Sequence, residues 1–284
     1  MDRAVIDGVT LEHEESGTGD PVVFIHGAFI APAFRPLLSE RVLSDRYRLI
    51  SYHRRGYVGS SRAEEPLSLA GQAGDCRRLL AHLGVQRAHV VGHSFGGVIA
   101  LQLSLDAPQL VQTLTLLEAG LLIGESAPMY REALAYSLQR YREVGAQVAV
   151  DEFIQLRWPG YREPLERVLP GAFAQAVADA ATFFEADLPA GLVWRFGEEE
   201  ARRIAQPVLV VLGEKSLALH QRFAETQQLL LSWLPNAEGF VLPGATHFLQ
   251  VENPRVMAEA LAEFYVRHPL VDSATAARSR PQSA

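Results

Sequence analysis

The chain has 284 residues, of which 48% are hydrophobic and 21% are charged, and its formal net charge is −7. This length can bury a substantial core, and negative charge spread along the chain argues against a nucleic-acid-binding surface. We expect a cytoplasmic protein without a membrane partner, because the N-terminus lacks the pattern of a signal peptide and no apolar run is long enough to span a bilayer. With only one cysteine, Cys76, we expect no internal disulfide.

Strand and helix patterns alternate through the first 120 residues. Residues 5–15 alternate loosely, and the Gly- and Pro-containing cluster 17–21 breaks them, which predicts two antiparallel strands with the second over 21–26. That second strand is apolar on both faces, as expected where helices cover both sides of a sheet. The next predicted elements are a helix over 32–44, a strand over 47–52, a helix over 69–83, a strand over 88–91, a helix over 95–106 and a strand over 111–117.

The pattern changes between residues 121 and 204, where helical spacing and aromatic residues replace the strands. One of these helices is predicted over 173–184. Alternation resumes with a strand over 207–213, a helix over 218–234, a strand over 239–242 and a helix over 254–266. We therefore predict an α/β core from residues 1–120 and 205–268, a helical insertion over 121–204, and a disordered tail over 269–284. The insertion should lie above the carboxyl ends of the strands, where a few of its aromatics line an apolar pocket.

One short stretch carries the strongest chemical signal. Gly92-His93-Ser94-Phe95-Gly96 has the pattern G-x-S-x-G between a predicted strand and a predicted helix. Such a turn holds the serine in a strained conformation and directs its hydroxyl over the end of the sheet. The N-terminus of the following helix can stabilise negative charge that develops beside it. Ser94 is therefore the predicted nucleophile.

A serine nucleophile needs a base, and His247 is the candidate. It lies in the loop after the last predicted strand and before the closing helix. His93, next to Ser94, is interpreted as packing beneath the turn. Four other histidines are interpreted as helix-end or surface residues: His82, His89, His220 and His268.

These motifs, in this order, give the chain a resemblance to the α/β-hydrolase superfamily from about residue 5 to residue 268. The resemblance is carried by His26-Gly27, the loop Arg54-Arg55-Gly56, the Ser94 turn and Gly244-Ala245-Thr246-His247. It implies an α/β-hydrolase fold, with a mostly parallel sheet, helices on both faces and residues 121–204 as a helical cap. It also implies that the backbone N–H groups of Ala28 and Phe95 form an oxyanion hole, and we interpret His26 as fixing its loop.

The sequence departs from this family at the acid of the triad. Many members carry aspartate shortly after the strand over 207–213, whereas Ser216 stands there in this chain. Either Glu214 substitutes, or the acid has moved to Glu118, at the end of the strand after the Ser94 helix. Glu118 ends an apolar run at the catalytic edge of the sheet, while Glu214 lies in a polar turn, so we favour Glu118 and keep Glu214 as the alternative. His53 replaces an aspartate that relatives often have, and we interpret it as structural.

The expected function is that of a serine hydrolase that cleaves a small, mostly apolar carboxylic ester or related acyl compound through a Ser-His-Glu triad and an acyl-enzyme. The expected partner is a small-molecule substrate; no cofactor or metal is expected, and the sequence leaves homo-oligomerisation open. With a histidine pKa near 6.5, activity should rise through neutral pH. The alternatives are a lyase, a C–C hydrolase or a perhydrolase on the same fold, or a non-catalytic small-molecule-binding protein.

Overall fold

The computed structural model describes residues 1–62 and 67–270. Its strands are β1 (Asp2–Ile6), β2 (Val9–Ser16), β3 (Asp20–Ile25), β4 (Tyr47–Tyr52), β5 (Ala88–His93), β6 (Val111–Leu117), β7 (Val208–Gly213) and β8 (Ala237–Leu242). In this part of the chain they form one sheet in the order β1-β2-β4-β3-β5-β6-β7-β8. The pairs β1–β2 and β2–β4 are antiparallel, and all pairs from β4 to β8 are parallel. This is the mostly parallel sheet of an α/β-hydrolase fold. Residues 271–284 of the predicted tail lie outside the described residues.

The helices follow the predicted alternation. They are α1 (Arg35–Leu38), α2 (Arg41–Ser44), α3 (Leu69–His82), α4 (Phe95–Asp106), α5 (Ala127–Val144), α6 (Ala146–Gln155), α7 (Arg162–Val168), α8 (Ala172–Ala178), α9 (Leu188–Val193), α10 (Glu198–Arg202), α11 (Ser216–Leu219), α12 (Gln221–Trp233), α13 (Leu249–Glu252) and α14 (Pro254–Arg267). Short 3₁₀ helices cover Ala31–Phe34 and Pro108–Leu110, and a π-helix covers Thr182–Asp187.

The antiparallel pairing predicted for residues 5–15 and 21–26 is wrong. The hairpin forms earlier, between β1 and β2 around Asp7-Gly8, and β3 pairs in parallel with β4 and β5. Gly17 and Gly19 explain the difference because both have positive φ and pack against the beginning of β4. A Cβ at Gly17 would lie 2.2 Å from the Tyr47 carbonyl oxygen, and one at Gly19 would lie 2.3 Å from the Arg46 carbonyl oxygen. The loop therefore crosses β4 instead of folding back on β2.

Three of the predicted helices are broken. The helix over 32–44 divides into a 3₁₀ turn, α1 and α2, because Glu40 is extended between the two α-helices. The helix over 218–234 is interrupted where His220 is extended between α11 and α12. The helix over 173–184 stops at Ala178, and the π-helix follows. His89 is also corrected, because it lies fully buried in β5 and stacks on Tyr265.

Helices cover both faces of the sheet. On one face, α3, α4 and α12 pack on a core that includes Val23, Leu79 and Ile99. On the other face, α1, α2, α13 and α14 pack on a core that includes Phe24 and Leu261. The apolar runs of the parallel strands are thus buried from both sides, as their composition predicted.

Residues 121–204, which the structure describes without a gap, contain helices and loops but no strand. We call this segment the insert. Its helices share a third apolar core with the loop after β3, in which Phe29 contacts Phe153, Phe183 and Phe184. The insert is therefore packed onto the carboxyl end of the sheet. In the described part of the chain, no helix has both the length and the apolarity needed to cross a membrane.

Candidate active site

Ser94 lies at the sharp turn between β5 and α4. Its φ is +51° and its ψ is −117°, a backbone conformation that is strained for a residue with a side chain. The flanking glycines are required by close packing, since a Cβ at Gly96 would lie 2.0 Å from the Ile25 carbonyl oxygen and one at Gly92 would lie 2.5 Å from the Gly96 carbonyl oxygen. The G-x-S-x-G pattern thus produces the predicted turn, with the serine at its tip.

His247 joins Ser94 to Glu118. The Ser94 hydroxyl lies 3.0 Å from His247 Nε2, and His247 Nδ1 lies 2.7 Å from Glu118 Oε2. With the proton assigned to Nδ1, His247 donates to the carboxylate and accepts from the serine. Both His247 and Glu118 are buried. The arrangement is that of a nucleophile, a base and an orienting acid.

Glu118 occupies a specialised backbone position directly after β6. Its φ is +41°, and its N–H donates to the Val211 carbonyl at 3.1 Å. The Gly213 N–H donates to Glu118 Oε1 at 2.8 Å. Burial raises the pKa of the Glu118 carboxyl, and the Gly213 N–H and the nearby Ser216 hydroxyl oppose this increase. Ser216, at the position where the resemblance leads one to expect the acid, thus lies beside the Glu118 carboxylate.

Glu214 is located differently. Its side chain is exposed and accepts the Gly244 N–H at 2.8 Å, which closes the turn after β8. The Nδ1 atom of His247 is already bonded to Glu118. The structure thus brings Glu118, and not Glu214, together with Ser94 and His247.

Ala28 and Phe95 line the same pocket as Ser94. Phe95 is the first residue of α4, so its N–H has no partner within the helix. The loop that contains Ala28 is fixed by His26, whose Nδ1–H donates to the Gly27 carbonyl at 2.8 Å and whose Nε2 accepts the Arg54 N–H at 2.9 Å. This geometry agrees with the loop-fixing interpretation of His26.

Arg54 ties this loop to the insert. Its guanidinium donates to the carbonyls of His26 and Gly27, both at 3.0 Å, and to the two oxygens of Asp187 at 3.1 and 2.8 Å. Asp187 also accepts from the Tyr57 hydroxyl at 2.7 Å and from Gln72 at 3.0 Å. Every charged group in this network is buried and paired. The network therefore fixes the end of the π-helix relative to the loop after β3.

Two further histidines have structural contacts. His93 lies beneath the turn, as expected, and its Nε2–H donates to the His247 carbonyl at 2.7 Å. Burial lowers the pKa of His93 to about 3, so this ring is neutral. His53 is buried and contacts Glu12 at 3.1 Å, in agreement with the structural interpretation of this residue.

A pocket opens above Ser94. The insert contributes most of its apolar wall. The pocket-lining aromatics from the insert are Tyr130, Phe153, Phe183, Trp194 and Phe196. Other aromatics of the insert do not line the pocket: Phe184, Trp158 and Tyr161 are buried in the core of the insert. This agrees with the expectation that only a few of them line a pocket.

The sequence analysis missed four residues beside His247. The Phe223 ring stacks on the His247 ring with centroids 4.7 Å apart. Arg222 lies over both Phe223, at 3.8 Å, and Tyr130, at 3.5 Å. Arg157 donates to the Tyr130 hydroxyl at 3.3 Å. Nothing in the sequence marks the two arginines, because charged side chains usually face solvent.

The surroundings of His247 disfavour its charged form. Burial is the main cause that lowers its pKa well below the usual value, and the positive charges of Arg157 and Arg222 lower it further. A neutral imidazole is the form that can accept the serine proton. This direction differs from the ordinary histidine pKa near 6.5 that the sequence analysis assumed.

Known proteins that are similar to this chain have the same fold. The chain matches the alpha/beta hydrolase fold family over residues 20–254 and belongs to that family. The 2-(acetamidomethylene)succinate hydrolase of Mesorhizobium japonicum is 26% identical over 282 residues, which cover 92% of this chain and 94% of that protein. A solved N-acyl homoserine lactone degrading enzyme is 26% identical, with a TM-score of 0.73 and coverage of 93% of this chain and 100% of that chain. The enol-lactonase of Burkholderia xenovorans has a TM-score of 0.79 at 20% identity, covers the same shares of the two chains and shows the fold alone. These findings support a hydrolase.

Proposed function

We propose that the protein is a serine hydrolase that cleaves a small, mostly apolar carboxylic ester or related acyl compound. The observation that carries this proposal is the continuous chain of hydrogen bonds from Glu118 through His247 to Ser94, at the base of an apolar pocket. The largely apolar lining of this pocket favours a small, mostly apolar substrate. The insert acts as the cap that gives this pocket its apolar walls.

The reaction follows from the geometry. Ser94 Oγ attacks the acyl carbonyl while His247 Nε2 accepts the hydroxyl proton, and Glu118 stabilises the resulting imidazolium. The backbone N–H groups of Ala28 and Phe95 bind the oxyanion. When the tetrahedral intermediate collapses, His247 returns the proton to the leaving alcohol and an acyl-enzyme remains on Ser94. Water, deprotonated by His247, then releases the acid and restores the serine.

A non-catalytic binding protein is less well supported. Ser216 would favour such a protein, because a serine at this position cannot provide the charge that the imidazolium requires. Glu118 provides a buried carboxylate at hydrogen-bond distance from His247, so the altered position 216 no longer implies a broken triad.

The decisive experiment compares two carboxylate variants. A screen of esters of graded acyl and alcohol length identifies a working substrate, and kcat is then measured for Glu118→Gln and Glu214→Gln. We expect Glu118→Gln to lower kcat on the order of 10⁴-fold, because the acid that orients the base is lost. Glu214→Gln is the matched control and should remain within about twofold of wild type, because a surface substitution away from the site has a small effect.

A fluorophosphonate probe tests the nucleophile independently of the substrate. We expect labelling of the folded wild type at Ser94 and none of Ser94→Ala. Absence of labelling in the folded wild type, or ester turnover that survives in Ser94→Ala, would overturn the proposal. Equal activity of the two carboxylate variants would overturn the assignment of Glu118.

A further inference from the structure

Three side chains from separate elements meet beside the proposed catalytic residues. Tyr130 comes from α5, Arg157 follows α6, and Arg222 is near the beginning of α12. Arg157 is 8% exposed, and its Nη2 donates to the Tyr130 hydroxyl at 3.3 Å. The Arg222 guanidinium lies 3.5 Å from the centroid of the Tyr130 ring. We call these residues the arginine cluster.

The cluster contains donors without an acidic partner. Within the residues described, the bonds that Arg157 donates go to the Phe153 carbonyl and the Tyr130 hydroxyl, and none goes to a carboxylate. The buried Nη1 atom of Arg222 has no hydrogen-bond partner in this part of the chain. Buried polar groups in native proteins are usually paired, and an unpaired charge is especially unfavourable. The cluster therefore holds two positive charges that are bonded to no carboxylate, and one of its donors has no partner among the residues described.

Aromatic stacking does not supply the acceptor that the cluster lacks. Arg157 lies 3.4 Å from the centroid of the Phe153 ring, and Arg222 stacks on Tyr130 and Phe223. Such contacts use the flat face of a guanidinium, whereas its five donors lie in its plane. Arg162 differs from the arginines of the cluster because its charge is paired. It stacks on Phe173 at 3.3 Å and also forms an ion pair with Asp151 at 2.9 Å.

Tyr130 links the cluster to the pocket above Ser94, whereas Arg222 itself lines a separate opening with His220 and Glu225. Tyr130 and Phe153 both line that pocket. On the other side, Arg222 packs on Phe223, whose ring stacks on His247. A molecule bound with its acyl carbon at Ser94 can thus extend along the apolar wall toward Tyr130.

We propose that the arginine cluster binds a carboxylate carried by the substrate. This inference rests on the proposed hydrolase function and narrows its substrate class to acyl compounds with an apolar middle and an anionic end. The planar fork of a guanidinium matches the two oxygens of a carboxylate, and the Tyr130 hydroxyl provides a third donor. The bound carboxylate supplies the acceptor that the protein lacks.

The test uses pairs of esters that differ in one charge. The monomethyl esters of succinate, glutarate and adipate keep one carboxylate, while the corresponding dimethyl esters are neutral and share the scissile bond. For wild type, we expect kcat/KM to favour the anionic ester in at least one pair. Arg157→Gln and Arg222→Gln should each lower this preference about 10- to 100-fold, the range for loss of a hydrogen bond between charged groups.

Arg162→Gln is the matched control, because Arg162 is also a stacked arginine of the insert. It should keep the wild-type ratio of anionic to neutral turnover. If the wild type shows no anionic preference in any pair, or if both cluster variants keep the wild-type ratio, the inference is overturned.

A binding measurement separates this inference from the catalytic proposal and needs no change in the cluster. Calorimetry on Ser94→Ala should detect binding of the dicarboxylate of preferred length, and the matching neutral diamide should bind at least about tenfold more weakly. Equal binding of the two compounds overturns the arginine cluster as an anion site. If the dicarboxylate binds selectively but the wild type shows neither ester turnover nor fluorophosphonate labelling, the proposed hydrolase function is overturned. The anion site is then still supported.

Discussion

Two groups of arginines near the pocket differ in their hydrogen-bond partners. Arg54 donates to both oxygens of Asp187, to Gln72 and to two backbone carbonyls. Arg157 and Arg222 bond to no carboxylate among the residues described, and one Arg222 nitrogen is unpaired. A fully paired buried charge fixes neighbouring elements, whereas an incompletely paired one has capacity for a ligand. The first pattern therefore indicates a structural role and the second a binding role.

Loss of Asp187 should have the largest effect on stability. Asp187→Asn removes the only carboxylate that pairs with Arg54 in the described structure and leaves a buried positive charge uncompensated. We expect the free energy of unfolding to fall by about 3–5 kcal/mol, as measured by urea denaturation. The double variant Arg54→Met/Asp187→Leu is the control and should recover much of this loss, because it leaves no buried charge. A loss below about 1 kcal/mol for Asp187→Asn would contradict the structural role.

Loss of Arg222 should change stability much less. Arg222→Gln removes two stacking contacts, each contributing up to about 2 kcal/mol, but it also removes a desolvated charge that lacks an acidic partner. The two effects oppose each other, so we expect the free energy of unfolding to stay within about 1 kcal/mol of wild type by the same urea measurement. A loss as large as that of Asp187→Asn would show that the two arginine groups do not differ.

The smallest predicted effect is on the pH dependence of ester turnover. The positive charges of Arg157 and Arg222 disfavour the imidazolium form of His247, so the acidic limb of kcat/KM should lie below pH 6.5 in wild type. Arg222→Gln removes one of these charges and raises the pKa of His247. Its activity should therefore be lost earlier as the pH falls, so the acidic limb should move to higher pH. Arg162→Gln should leave the limb in place, and an unchanged limb in Arg222→Gln would contradict the assigned charge effect.

The sequence predicted what depends on local patterns. Apolar runs and glycines located the parallel strands and the Ser94 turn, and the end of an apolar strand pointed to Glu118. Pairing between strands distant in sequence was harder. The loop at Gly17 and Gly19 reads as a hairpin turn, and only its close packing against Tyr47 and Arg46 shows that it crosses β4.

The arginine cluster could not be predicted either, because it also depends on contacts between elements that are distant in sequence. Its three residues are far apart in sequence, and they converge only after α12 packs beside the insert. His89 shows the same limit, because its burial against Tyr265 depends on the position of α14. Local sequence specifies which element a residue belongs to, whereas the contacts between distant elements decide which charges remain unpaired.

The tight backbone packing around Ser94 has a consequence for how such an enzyme can change over evolution. Gly96 fits against the Ile25 carbonyl, Gly27 against His93 and Ser94, and Gly97 against Ala119, with no room for a side chain at Gly96 or Gly97. These contacts come from the sheet and its loops, so none depends on a residue of the insert. Mutations in the insert can therefore reshape the pocket and select new substrates while Ser94 keeps its position. The segment that shapes the pocket thus differs from the segments that hold the Ser94 turn.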